Sequence, residues 1–278
     1  MTPETTLILY KPETEPESSI MTTQKQLPAL KWKIEEAGDK STGLLLTKEF
    51  GIHPVISQIL INRGIRDIEA ARRYLQPSLN NLHSPFLMTD MKKGVARLLK
   101  AIHNKEKIVI YGDYDADGIT SVVVLLKFIR EITPLIDFYI PDRIQEGYGL
   151  KESAINEFKK NGVSLIITVD CGISDVEQIA HARSLGIDTI VLDHHEISGE
   201  LPPAVAAINP NRKDCSFPFK GLAGVGIAFN FLIALRGSLN KEGFWENNQY
   251  PNLREYLDIV TLVTIGDATF KSCPNLAE

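Results

Sequence analysis

Three aspartates at alternate positions, in Asp113-Tyr114-Asp115-Ala116-Asp117-Gly118, follow directly on the apolar run Lys107-Ile108-Val109-Ile110-Tyr111. Carboxylates packed this closely raise one another's pKa and resist joint ionisation, so the cluster makes chemical sense around a cation. Two more such groups follow apolar runs: Asp170 in Thr168-Val169-Asp170-Cys171-Gly172, and the tripeptide Asp193-His194-His195. A fourth acid, Asp267, lies at the end of the helix-like segment 258–265 and could complete the set. Oxygen ligands with one or two imidazoles suit Mn²⁺ or Mg²⁺, and no thiolates are arranged for a softer metal. Several carboxylates plus histidine in one cleft is the composition of a two-metal phosphodiester hydrolase, whose ions sit ~3.5–4 Å apart.

Each residue also has a plainer reading. Asp115 or Asp117 alone would serve as a helix N-cap, and Asp170 alone as a turn residue. His53, His83, His103 and His181 have no comparable setting and read as structural or exposed; Cys171 reads as a small buried filler. Arg143, in Ile140-Pro141-Asp142-Arg143, could clamp a phosphate and Tyr148 could stack on a base. The alternative there is a surface turn held by a salt bridge. Gly118 and Gly172 are expected to let backbone approach the site and to open helices whose N–H groups can hold phosphate. The cluster from Gly221 to Gly226 resembles an anion-binding turn or a place of close helix packing.

These residues need strand ends to carry them. From 107 onward the chain alternates strand-like and helix-like segments. Strands are expected at 107–111, 136–140, 165–169, 189–192 and 205–208, and helices at 119–131, 152–160 and 176–185. The strand candidates are near-continuous Ile/Val/Leu runs, as parallel strands buried on both faces require. The expected fold is α/β, a doubly wound, mainly parallel five-stranded sheet, which delivers the ends of its strands to one edge. Helical segments at 223–235 and 253–265 follow. Residues 28–104 read as a small helical region, with Pro54 in a first turn and with Asp67 and Asp90 as caps for 68–75 and 91–103. Residues 1–27 are polar and rich in Thr, Glu and Pro, and read as a disordered tail, with Met21 a candidate start.

A chain of 278 residues has room for one large domain or two smaller ones. No apolar run approaches the ~18 residues of a membrane span, and the acidic N-terminus lacks the features of a secretory signal. Three scattered cysteines form no framework, so a cytoplasmic protein is expected. The net charge of −5 speaks against a generic basic nucleic-acid binder, although two bound divalent ions would offset most of it.

The segments 113–118, 169–174 and 193–195 resemble motifs I, II and III of the DHH phosphoesterase superfamily, named for its Asp-His-His tripeptide. The stretches Ile140 to Arg143, Gly147 to Leu150, Asn209-Pro210 and Gly221 to Phe229 resemble its RecJ branch, single-strand-specific 5′→3′ DNA exonucleases. The resemblance implies two ions, Mn²⁺ preferred and Mg²⁺ tolerated, held by Asp115, Asp117, Asp170, His194 and Asp267. It places Asp113 and His195 against the reacting water or phosphate, Asp193 behind the histidines, and Arg143 on DNA phosphate. It further implies a DHH domain over 105–267, roles in DNA repair and recombination, and partners such as single-strand-binding protein and a helicase. The segment 268–278 departs from the family pattern, and the family's second, substrate-binding domain is not recognised in this sequence. Two other functions therefore remain open: a phosphodiesterase acting on short oligonucleotides or cyclic dinucleotides, and a weakly active metal- or nucleic-acid-binding fragment.

Overall fold

In the computed structural model the described residues are 39–246 and 249–266. Three helices come first: α1 (Lys40–Phe50), α2 (Pro54–Asn62) and α3 (Ile68–Leu75). They share a small core of Leu46, Leu60, Ile61 and Ala71. Asp39 caps α1, accepting from the N–H groups of Ser41 and Thr42 at 3.1 Å each, and α1 stops at Gly51, whose φ of 62° suits glycine. Pro54 takes the first turn of α2, and Asp67 caps α3 through Ala70 N at 2.7 Å, both as expected.

Then α4 (Met91–His103) leads into the sheet. Asp90 precedes it but makes no side-chain cap, contrary to expectation. Its backbone is left-handed (φ 64°), and its carboxylate instead faces Lys93 Nζ at 2.6 Å and Arg212 Nη1 at 2.7 Å. A buried guanidinium is a stronger partner than a backbone amide, and it takes the carboxylate away from the helix.

Among the described residues, β1 (Lys107–Gly112), β2 (Ile136–Tyr139), β3 (Val163–Val169), β4 (Asp188–Leu192) and β5 (Ala206–Ile208) form one sheet in the order β2-β1-β3-β4-β5. Every pair is parallel. Between strands lie α5 (Ala116–Arg130), α6 (Glu152–Lys160) and α7 (Val176–Ser184); α8 (Gly224–Lys241) and α9 (Leu257–Gly266) follow. The doubly wound α/β expectation is borne out.

Alternation along the strands sorts the core. Ile108, Ile110, Leu165, Ile167, Ile190 and Leu192 join the layer of α4, α5 and α8. Val109, Tyr111, Ile166 and Val191 join α6 and α7 on the other face. Each such side chain, buried on folding, contributes about 1.5–3 kcal/mol. The two-sided burial holds the strands in register, and so fixes where their carboxyl ends emerge. No helix among the described residues is long and apolar enough to cross a membrane.

Candidate metal centre

The loop after β1 is folded tightly on itself. A Cβ on Gly118 would lie 2.4 Å from the Asp113 carbonyl oxygen and 2.6 Å from its nitrogen. Only hydrogen there lets the first turn of α5 back against Asp113. Helix α5 begins at Ala116, three residues earlier than its apolar pattern indicates, because Asp115 is its N-cap. Asp115 Oδ1 accepts from the N–H groups of Asp117 and Gly118, both at 2.9 Å. The capping reading of Asp115 is thus correct as far as one oxygen goes, and those two N–H groups are engaged by it rather than offered to phosphate.

The end of β3 presents Asp170. Its φ of 58° is left-handed, a conformation uncommon outside glycine, asparagine and aspartate. Its N–H donates to Leu192 O at 3.0 Å, which ties the β3 end to β4. Gly172 (φ 104°) sits against Thr168 Oγ1, but it does not open a helix, since α7 starts only at Val176.

At the end of β4, Asp193 is fully buried and orders the histidines. Its Oδ1 accepts from His194 N at 2.7 Å and His195 N at 3.0 Å, and pairs with His195 Nδ1 at 2.7 Å. Its Oδ2 accepts from Ile173 N at 2.9 Å. Sequence reasoning did not give Asn209 and Asn211 a role. Asn209 Nδ2 donates to His195 O at 2.9 Å, and Asn211 Nδ2 donates to His194 O, so the segment after β5 clamps the histidine backbone. The Asn-Pro-Asn run after an apolar segment was the available signal.

The three strand ends converge. Asp113, Asp115 and Asp170 can each offer an oxygen, and Asp170, His194 and His195 an oxygen and two nitrogens; within each triad the donor atoms lie within 4.8 Å of one another. Asp170 belongs to both. The residues fit hard divalent cations on two counts. The donors are carboxylates and imidazoles, and Asp113 Oδ1 and Asp170 Oδ1 are buried without a hydrogen-bond partner. Burial pushes the Asp170 carboxyl far above the usual range, and the charges of Asp117 and Asp115 add to it. Burial raises Asp113 as well, with Asp115 adding to the rise. Burial also opposes the charge on Asp193, but the hydrogen bonds and charge of His195 outweigh it and hold that pKa low. His195 is correspondingly raised, first by its bond to Asp193.

Asp117 stands differently from its neighbours. Its Oδ2 accepts from Gly224 N at 2.6 Å and its Oδ1 from Val225 N at 2.7 Å, at the start of α8. The anion that the Gly221–Gly226 turn binds is this carboxylate of the same chain. His194 Nε2 lies 3.7 Å from Asp117 Oδ2 and 3.1 Å from Asp170 Oδ1. Arg143 is exposed, its guanidinium 5.3 Å from the centre of the Tyr114 ring. Tyr148 is half-exposed, and its hydroxyl lies 3.3 Å from His195 Nδ1 and 3.4 Å from Asp170 O, an anchorage that a purely base-stacking role does not account for. Asp267 lies outside the described residues. The remaining histidines have local partners: His53 caps α2, His83 packs edge-on to Phe217, His103 faces Glu242 and His181 faces Asn156.

Replacing Asp193 by Asn removes the charge that holds His195, while the size of the side chain stays the same. We expect Mn²⁺ affinity to fall ~10–100-fold, as for other residues that orient a metal-binding side chain. Calorimetric titration of the chain with Mn²⁺ checks this, and an unchanged affinity would show that Asp193 only supports the fold.

A parallel, doubly wound sheet with a carboxylate–imidazole cluster over its carboxyl edge defines an α/β domain built to hold cations. The chain belongs to the DHH family: the family's N-terminal domain matches residues 107–264. It is 42% identical over 238 residues to the single-stranded-DNA-specific exonuclease RecJ of Bacillus subtilis (strain 168), a match covering 86% of this chain and 28% of that protein. The chain thus spans less than a third of that relative's length. Its fold matches RecJ of Thermus thermophilus, solved in complex with Mn²⁺, at a TM-score of 0.69 and 24% identity, covering 85% of this chain and 32% of that one. A crystal structure of exonuclease RecJ bound to manganese matches at a TM-score of 0.55 and 29% identity, covering 65% and 43%.

Proposed function

We propose that this chain carries the metal-binding catalytic portion of a RecJ-type nuclease, hydrolysing phosphodiester bonds of single-stranded DNA from the 5′ end. The observation that carries the reading is the pair of donor triads sharing Asp170, in a chain of this family. In the proposed assignment Asp113, Asp115, Asp117, Asp170, His194 and His195 hold two divalent ions, with Mn²⁺ preferred and Mg²⁺ tolerated. Asp267 remains in the proposed set as a further ligand. Such a pair of ions supplies Lewis-acid stabilisation of the charge that develops on the attacking and leaving oxygens.

The protein's part is positional. Asp193 fixes the imidazole of His195 through Nδ1, leaving Nε2 as its atom for a cation. The Tyr148 hydroxyl lies against the same Nδ1, at 3.3 Å. Asp117 stays in the proposed ligand set and also ties α8 to the acidic loop. Arg143 supplies an exposed guanidinium near Tyr114 for DNA phosphate. The roles in repair and recombination, the cytoplasmic location, and partners such as single-strand-binding protein and a helicase belong to the same proposal and rest on the relatives.

The test is digestion of a long single strand labelled at either end, in Mn²⁺, by the chain and by Asp115→Ala. The expected result is mononucleotide release from the 5′ end by the chain and none by the variant. Equal activity of the two proteins would overturn the assignment, and cleavage of dinucleotides alone would move the reading to a short-oligonucleotide phosphodiesterase.

A further inference from the structure

The metal centre opens on one side into a cleft of about 880 Å³. His194 and His195 form part of its wall, so a group seated in it lies beside the candidate metal centre. The size is within the ~300–1,000 Å³ typical of small-molecule sites and fits one nucleotide unit.

The lining divides by chemistry. Ile197, Leu201 and Leu222 give it an aliphatic wall, and Lys213 and Lys220 give it cationic charge. Arg212 also lines it, but its guanidinium is engaged by Asp90 and Asp214, at 2.7 Å each. Lys220 Nζ donates to Pro210 O at 2.6 Å and Cys215 O at 2.9 Å, which fixes the ammonium and leaves its third proton for a ligand. Lys213 is exposed and makes no hydrogen bond or ion pair among the described residues. Glu196 is the acid on the lining that no described ion pair neutralises, so the cleft keeps a net positive balance. The amide of Asn211 is committed to His194 O, and no Phe, Tyr or Trp side chain lines the cleft. Base identity therefore has little to be read by.

We propose that this cleft seats the nucleotide unit next to the scissile phosphate, with its phosphate toward Lys213 and Lys220 and its base against Ile197, Leu201 and Leu222. A base laid on that wall has left its stack, so the site selects an unpaired strand and tolerates any sequence. The inference rests on the phosphodiesterase reading of the centre, and the experiment separates the two.

Binding of a fluorescent thymidine oligonucleotide is followed by anisotropy in metal-free buffer across a salt series, for the chain, Lys213→Ala, Leu201→Asp and the remote control Lys241→Ala. Lys213→Ala is expected to lower the log–log salt slope by about 1. Leu201→Asp is expected to weaken binding about fivefold, the loss of one base contact. Lys241→Ala leaves both quantities as they are. Lys213 and Leu201 are both exposed, so their variants fold. Equal affinities and slopes across all four proteins, or no binding by the chain at low salt, overturn the cleft assignment. Binding that depends on both residues, without cleavage of the strand or of bis(p-nitrophenyl) phosphate in Mn²⁺, keeps the cleft and overturns the phosphodiesterase reading.

Discussion

Asp170→Asn is expected to melt at a higher temperature than the unaltered chain when both are metal-free, and to lose hydrolysis in Mn²⁺ by at least about 10³-fold. Both outcomes have one cause. Asp170 is buried, its Oδ1 accepts no hydrogen bond although His194 Nε2 lies 3.1 Å away, and Asp117 and Asp115 stand against its charge. Asparagine removes that charge and tolerates the left-handed backbone at this position. The sign with pH follows from linkage. The folded pKa lies above the unfolded one, so the folded chain holds its proton longer, and metal-free stability falls as pH rises from the ordinary aspartate range toward the raised folded value. The variant lacks this slope. It also loses the one candidate ligand common to both donor triads. Several kcal/mol of charge stabilisation lost at the transition state corresponds to a fall in kcat/KM of at least about 10³-fold. Thermal melts with and without Mn²⁺, run beside an exonuclease assay, check both halves. A variant that melts lower than the parent without metal would show that the carboxylate is already satisfied within the protein.

Gly118→Ala is the second large effect, and it runs against helix propensity. In a helix interior, alanine is favoured over glycine by about 1 kcal/mol. Here the added Cβ would meet Asp113 N, C and O between 2.4 and 2.7 Å. These are backbone atoms, and they cannot rotate aside. Steric displacement wins, at about 1–3 kcal/mol or more of stability, and it moves Asp113 away from Asp115 and Asp170. Gly237, within α8, is the matched control: a Cβ there meets nothing within 4 Å, so Gly237→Ala should gain about 0.5–1 kcal/mol. Urea melts of both variants with Mn²⁺ titrations give the contrast, and a Gly118→Ala protein that is as stable and binds Mn²⁺ as well as the parent would refute the close-packed loop.

The sheet was legible because its strands are buried on both faces, and uninterrupted runs such as 107–111 and 189–192 carry that signal within a few residues. The convergence of Asp113, Asp115, Asp170 and the histidine pair was legible for the same reason, since parallel strands share an edge. What local sequence could not show is pairing across distance. Asp117 meets Gly224 and Val225 more than a hundred positions away, and nothing in either segment names the other. Asp90 carried a good capping signal, and it was overridden by Arg212, again from far along the chain. Helix α1 had a readable cap in Asp39 to Thr42, but its weakly amphipathic face made it hard to separate from its surroundings. Tyr148 was noticed for its ring, whereas the structure engages its hydroxyl.

Helices α5 and α8 both begin at the candidate metal centre, joined there through Asp117, and their far ends meet again at one side chain. Phe128, near the end of α5, packs edge-on against Trp245 with ring centres 6.4 Å apart, and Trp245 Nε1 donates to Arg236 O near the end of α8. The two helices therefore behave as the arms of a caliper closed at both tips. A change in spacing at the acidic tip would be carried to the indole along about twelve residues of helix, or about 18 Å at 1.5 Å per residue. The Trp245 indole is thereby placed to report, through its fluorescence, on the spacing of the two helices that start at the acidic loop.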